Sequence, residues 1–275
     1  MRDLQSRVAV VTGGANGIGL GLARRFLKEG MKVVVADNDS GDLARAEKEL
    51  STIGEVLAVR TDVADAMSVE ALARASVDHF GAVHVLCNNA GVGGMQRFST
   101  TSAATWEWTI GVTMWGAIHG CRIFLPILAE QDSAYIINTA SMAGFLTGPY
   151  QAPYKVAKAA VVALSESLSN EFSTEHPNIR VAALCPAYTS TAIRNDERNA
   201  PAGHVPRALA DPELENLRES VNAAIEQDGI STEDVADLVV RAMAEEKTHI
   251  FPHPEWLDKW QDRVDKVREQ VSGTN

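Results

Sequence analysis

Few cysteines, no metal-ligand spacing, no excess of positive charge and no long hydrophobic run mark this sequence, and each shortage removes a class of protein. Cys87, Cys121 and Cys185 are the only three cysteines in 275 residues. They are odd in number and far apart, which suggests neither a disulfide framework nor a zinc pattern. The seven histidines show no metal-ligand spacing either, so no metal is expected. His79, His84, His119 and His176 read as ordinary partly buried or surface residues. A formal net charge of −11 argues against a general nucleic-acid binder, because phosphate backbones attract basic surfaces. It leaves room for a small anionic cofactor, which needs only a local pocket. No stretch approaches the roughly 18 consecutive apolar residues of a membrane span, and residues 1–7 lack the apolar run of a signal peptide. The expected setting is cytoplasmic, with no membrane partner.

What is present is an ordinary globular composition, 45% apolar and 22% charged, at a length that supports one large α/β domain with a substantial core. The pattern opens with the short β-branched run Arg7–Thr12. The glycine turn Gly13-Gly14-Ala15-Asn16-Gly17-Ile18-Gly19 follows, and then an amphipathic stretch with Ile18, Leu22, Phe26 and Leu27 at helical spacing, stopped at Gly30. Strand, glycine turn and helix in that order let backbone N–H groups approach a pyrophosphate at a helix N-terminus. A merely flexible turn is the bland alternative, and the flanking strand and helix weigh against it. A second strand, Lys32–Asp37, ends in a carboxylate 18 residues after Gly19. That is close to the ~20 expected for an acid that accepts hydrogen bonds from an adenosine ribose. Asp37 would repel a 2′-phosphate and so favours NAD over NADP; its competing role is to cap the next helix, which Asp39 or Ser40 could do instead.

Strand and helix continue to alternate. A helix runs to about Leu50, a strand over 55–60, a helix over about 67–80 and a strand over 83–87. A long helix spans about 102–130, a strand 134–139, a helix about 153–174 and a strand 179–184. Such alternation predicts a doubly wound, parallel seven-stranded sheet in one domain over 1–275, with ligands at the carboxyl ends of the strands. Asp62, Val63, Asn89, Ala90 and Gly91 fall at such ends. From Ala192 to about Ile230 the chain turns polar and irregular, as a substrate loop or lid would; a solvated insertion with a helix near 212–227 is the plainer reading. A helix over about 232–246 and a strand near 249–251 precede a C-terminal helix at about 254–271, whose Trp256, Leu257, Trp260, Val264 and Val267 share one packing face.

The chemistry is concentrated in Tyr154-Lys155-Val156-Ala157-Lys158. On a helix, Tyr154 and Lys158 project from the same side. A tyrosine with its ordinary pKa of about 10 is a poor base at neutral pH; a nearby ammonium favours the phenolate and lets the ring oxygen exchange a proton with an alcohol or carbonyl.

Taken together, the Thr12–Gly19 turn, Asn88-Asn89-Ala90-Gly91, Ser141, Tyr154–Lys158 and Pro186–Thr191 resemble the short-chain dehydrogenase/reductase family in order and spacing, strongly over about 6–191. The resemblance implies hydride transfer with NAD. Tyr154 would be the catalytic acid/base, Lys158 the cation that lowers the Tyr154 pKa and holds the nicotinamide ribose, and Ser141 the hydroxyl that holds the substrate oxygen. Pro186, Thr189 and Thr191 would stand on the nicotinamide side. It also implies a homodimer or homotetramer assembled through the two long helices. Two departures stand out. Thr113 occupies the place of the family's usual relay asparagine and has a shorter, single polar group. Ala187 follows Pro186 where glycine is common.

Met142, Phe145, Tyr150 and Tyr188, with Val92, Met95 and Leu146 nearby, are the expected substrate-pocket residues. Their apolar and aromatic character points to a hydrophobic secondary alcohol or its ketone, aryl-bearing ones included. A carboxylate substrate is less favoured and would need Arg97 or Arg194. The rival expectation is a dinucleotide-binding regulatory or scaffold protein in which Thr113 marks weak or lost turnover.

Overall fold

The computed structural model describes residues 1–191, 200 and 211–272. Seven strands form one sheet: β1 (Val8–Thr12), β2 (Lys32–Asp37), β3 (Val56–Arg60), β4 (Val85–Asn88), β5 (Ala134–Thr139), β6 (Ile179–Leu184) and β7 (His249–Ile250). Their order is β3-β2-β1-β4-β5-β6-β7, and every pairing is parallel. The order reverses between β1 and β4. A doubly wound sheet opens its ligand crevice at such a switch point.

Nine helices among the described residues cover the sheet: α1 (Gly17–Lys28), α2 (Ser40–Leu50), α3 (Ala66–Phe80), α4 (Ala103–Ile110), α5 (Gly116–Ala129), α6 (Ala152–Glu175), α7 (Pro212–Asp228), α8 (Thr232–Ala244) and α9 (Trp256–Ser272). Strand residues alternate between the faces. Ala9, Val11, Val33 and Val35 pack with Leu22, Phe26, Val235 and Val239 under α1, α2 and α8. Val10, Val34, Leu86 and Ile136 pack with Leu72, Phe124 and Phe172 under α3, α5 and α6. Each such Val, Leu, Ile or Phe side chain, when fully buried, contributes about 1.5–3 kcal/mol of hydrophobic stabilisation. Burial on both faces is why the strands read as continuous apolar runs.

The long helix expected over 102–130 is present but not uniform. α4 passes into α5 through a π-helical segment, Gly111–Trp115, whose wider turn is seen mostly at functional sites. Thr113 lies in that segment. The whole span Ala103–Ala129 has the length and apolarity to cross a membrane, yet here it lies against β4, β5, α3 and α6. In the region expected as a substrate loop, a helix is found at Pro212–Asp228. Residues 192–199 and 201–210, with Arg194, lie outside the described residues.

Candidate active site

A cleft of about 260 Å³ opens at the carboxyl ends of the strands, lined among others by Gly13, Asp37, Asn89, Ser141, Tyr154 and Lys158. One wall is the turn after β1. Gly13 has φ +60°, and a Cβ there would stand 2.9 Å from the Ala90 Cα; at Gly19 a Cβ would collide with the Gly13 carbonyl oxygen. The turn and the β4 loop are thus packed backbone against backbone. Asn16, Gly17 and Ile18 also line the cleft, whereas Gly19 is buried behind them. Asn16 is held by Asp42, to which it donates at 2.7 Å, and by Arg45, from which it accepts at 2.8 Å.

Asp37 closes this end. Its carboxylate accepts from the Ala15 N–H at 3.3 Å and from the Asp39 N–H at 3.2 Å. Burial raises its pKa, against these main-chain bonds, which lower it. The cap of α2 is Asp39, which accepts from Gly41 and Asp42, so the competing role for Asp37 is already filled. Asp62 and Val63 line the same wall.

Asn89 and Thr12 tie three strand ends together. Asn89 Nδ2 donates to the Thr12 carbonyl at 3.0 Å, its Oδ1 accepts from Thr139 at 3.2 Å, and the Thr12 hydroxyl accepts from the N–H groups of Asn89 and Ala90 at 3.0 and 3.1 Å. The floor of the cleft at Asn89, Ala90 and Gly91 is thereby fixed before any ligand arrives.

At the other end stand Ser141, Tyr154 and Lys158. α6 begins with Pro153 in its first turn, where a missing N–H costs nothing, and it presents Tyr154 and Lys158 one turn apart. The Lys158 Nζ lies 5.6 Å from the centroid of the Tyr154 ring and donates to the Thr139 carbonyl at 2.6 Å. Burial pushes its pKa down to about 8. Ser141 both caps the turn Met142–Gly144, accepting from Ala143 N–H at 3.1 Å, and lines the cleft, with its hydroxyl donating to the Pro186 carbonyl at 3.2 Å. Pro186, Thr189 and Thr191 complete that side.

Thr113 does not line the cleft; it is buried beneath the β4 loop, with its hydroxyl on Val92. Nor do the four expected pocket residues. Met142 and Phe145 sit in an apolar cluster with Val161 and Val162, and the Phe145 ring meets Trp260 at 4.8 Å. Tyr188 packs edge-on against Trp256. Tyr150 donates to Glu213 at 3.1 Å. Beyond Ile18, Val63, Ala90 and Pro186, the apolar residues that reach the cleft are Val92, Trp108, Val112, Ala187 and Ile225. Trp108 and Val112 are four apart in sequence on one helical face, a spacing the sequence displays but which the many other apolar residues of that helix obscure. Arg97, a candidate carboxylate binder, is engaged instead by Asp211 and Glu213.

Comparison with known proteins agrees with this architecture. The short chain dehydrogenase family pattern matches residues 7–202. The 1-deoxy-11-beta-hydroxypentalenate dehydrogenase of Streptomyces exfoliatus is 34% identical over 98% of this chain and 91% of its own length. The 2-(R)-hydroxypropyl-CoM dehydrogenase of Xanthobacter autotrophicus is 33% identical over 89% and 94%. A crystal structure of a short chain dehydrogenase/reductase from Burkholderia phymatum in complex with NAD superposes with a TM-score of 0.93 at 37% identity, covering 98% of this chain and 97% of that one. The chain belongs to the short-chain dehydrogenase family and is an oxidoreductase.

Proposed function

We propose that the protein is an NAD-dependent dehydrogenase that interconverts a hydrophobic secondary alcohol, aryl-bearing ones included, and its ketone. One observation carries the reading: Ser141, Tyr154 and Lys158 open onto the same cleft as Asp37. The residues present fit a dinucleotide. Gly13, Asn16, Gly17 and Ile18 line the cleft at the start of α1, where a helix N-terminus suits a pyrophosphate, and the Asp37 carboxylate suits ribose hydroxyls while opposing a 2′-phosphate. Bound nicotinamide supplies the hydride acceptor in oxidation and the hydride donor in reduction. The protein's part is to hold and move a proton. In oxidation the Ser141 hydroxyl holds the substrate oxygen, the Tyr154 phenolate takes the alcohol proton, and the Lys158 cation favours that phenolate. Reduction returns the same proton from the Tyr154 hydroxyl to the carbonyl oxygen.

The apolar lining by Val92, Trp108, Val112 and Ile225 supports an uncharged, hydrophobic substrate, and the engagement of Arg97 by two carboxylates weighs against a carboxylate one. Ile225 on α7 also supports assigning the substrate loop to about 192–230 of a single catalytic domain. Exposed Trp115 and Val156 on the two long helices support a homodimer or homotetramer built there, and a cytoplasmic setting goes with the reading. The test is the initial rate of NADH formation from NAD across a panel of aliphatic and aryl secondary alcohols, with NADP in parallel. Turnover that prefers NAD and bulky apolar alcohols is expected. No turnover despite NADH binding would move the weight to the dinucleotide-binding regulatory alternative.

A further inference from the structure

His253 lies in the turn before α9, 60 or more residues beyond every group assigned to the reaction, and is only 5% exposed. Its Nδ1 accepts a hydrogen bond from the Ala187 N–H at 3.3 Å. Ala187 lines the cleft between Pro186 and Thr189. The other bonded main-chain groups of this loop are met mostly by main chain. Cys185 N–H donates to Ile250 at 2.8 Å, the Tyr188 carbonyl accepts from Ile230 at 3.1 Å, and Ser190 N–H donates to Ile230 at 3.2 Å. On the catalytic side, the Pro186 carbonyl accepts from the Met142 N–H at 2.9 Å and from the Ser141 hydroxyl. The Ala187 N–H is instead met by a side chain from a separate element.

That arrangement fixes the tautomer. A nitrogen that accepts carries no proton, so the imidazole is neutral with its proton on Nε2. Burial lowers the His253 pKa, with Glu255 and the Tyr188 main chain pulling the other way, and so keeps the accepting form at neutral pH.

We infer that His253 is a positioning residue, holding the Pro186–Thr189 loop through the Ala187 N–H so that the loop meets the nicotinamide end of the cofactor in its bound shape. The inference rests on the dinucleotide reading of the cleft. A loop fixed in advance loses less conformational freedom on binding, so loss of the bond weakens cofactor binding while leaving the proton-transfer groups in place.

The experiment compares His253→Asn, His253→Gln and His253→Phe with the wild type by NADH fluorescence titration, by KM for NAD against kcat, and by thermal melting. The Asn amide oxygen falls near the Nδ1 position; the Gln oxygen falls near Nε2. Asn should keep NADH binding within about twofold, whereas Gln and Phe should weaken it by about five- to tenfold and raise KM for NAD more than they lower kcat, as loss of one hydrogen bond predicts. Melting separates a folding defect from this effect, and Gln, which is polar and of similar length, keeps the comparison informative if Phe disturbs the core. Equal NADH affinity in wild type, Asn and Gln would overturn the inference while leaving the dehydrogenase reading intact. Failure of the wild type itself to bind NADH would instead overturn the dinucleotide reading.

Discussion

Thr113 and Val92 exchange two hydrogen bonds: the threonine hydroxyl donates to the Val92 carbonyl at 3.1 Å and accepts from the Val92 N–H at 3.2 Å. The hydroxyl thus satisfies both main-chain groups of a residue in the loop that lines the cleft. An asparagine side chain would offer two N–H donors and a carbonyl acceptor on a longer stem. The geometry therefore favours a positioning role for the Thr113 side chain over a proton-relay role.

Substitution at Thr113 tests this directly. Thr113→Val keeps the shape and strips both bonds, and should cost about 1–3 kcal/mol of stability for the unsatisfied buried groups, with a fall in kcat. Thr113→Ser should retain most of both properties. Thr113→Asn should turn over at a rate near that of the wild type. Urea melts and steady-state rates read these outcomes, and a large acceleration in Thr113→Asn would point to a weakened relay.

Asp37→Ala should weaken NAD binding by about tenfold or more, the scale of hydrogen bonds to a charged group, and should admit NADP. The register pairs Asp37 with Arg60 on β3, so removal of the carboxylate leaves an arginine on the neighbouring strand end. The ratio of kcat/KM for NAD over NADP measures it; an unchanged ratio would place the discrimination elsewhere.

Lys158 gives a signed pH dependence. Its folded pKa is about 8, below the ordinary 10.5. Between those values the unfolded chain binds more protons at this site than the folded one, so the contribution of Lys158 to stability rises with pH across that window. Below about pH 8 both states are charged and the burial cost is present in full. Relative to Lys158→Met, the wild type should therefore gain melting temperature between pH 8 and 10.5. A gap between the two proteins that is constant from pH 7 to 10 would contradict the buried-cation account.

Much of this was legible because the signals were local. Each strand was an apolar run bounded by polar turns, and the motif residues Gly13, Asp37, Asn89, Ser141, Tyr154 and Lys158 fell at strand ends or helix starts that the topology then gathered into one cleft. The π-helical segment at Gly111–Trp115 left no trace, since one widened turn changes no residue's polarity. Met142 and Phe145 were expected at the substrate and lie in the core because an apolar side chain beside a catalytic loop packs equally well inward; only tertiary contact with α6 and α9 decides. Ile225 went unread for the opposite reason, standing on a polar helix whose place over the cleft no spacing reveals. His253 carried no sequence signal, because its partner is a backbone N–H 66 residues away.

Replacement of Tyr154 by phenylalanine, assayed for both NADH binding and alcohol oxidation, bears most directly on the central claim. The ring and its packing against the Gly93 backbone remain while the ionisable oxygen is gone. The account predicts that NADH affinity is kept and that turnover falls by about 10²–10⁴-fold, the range of general acid–base catalysis. Retention of most of the turnover in Tyr154→Phe would contradict it.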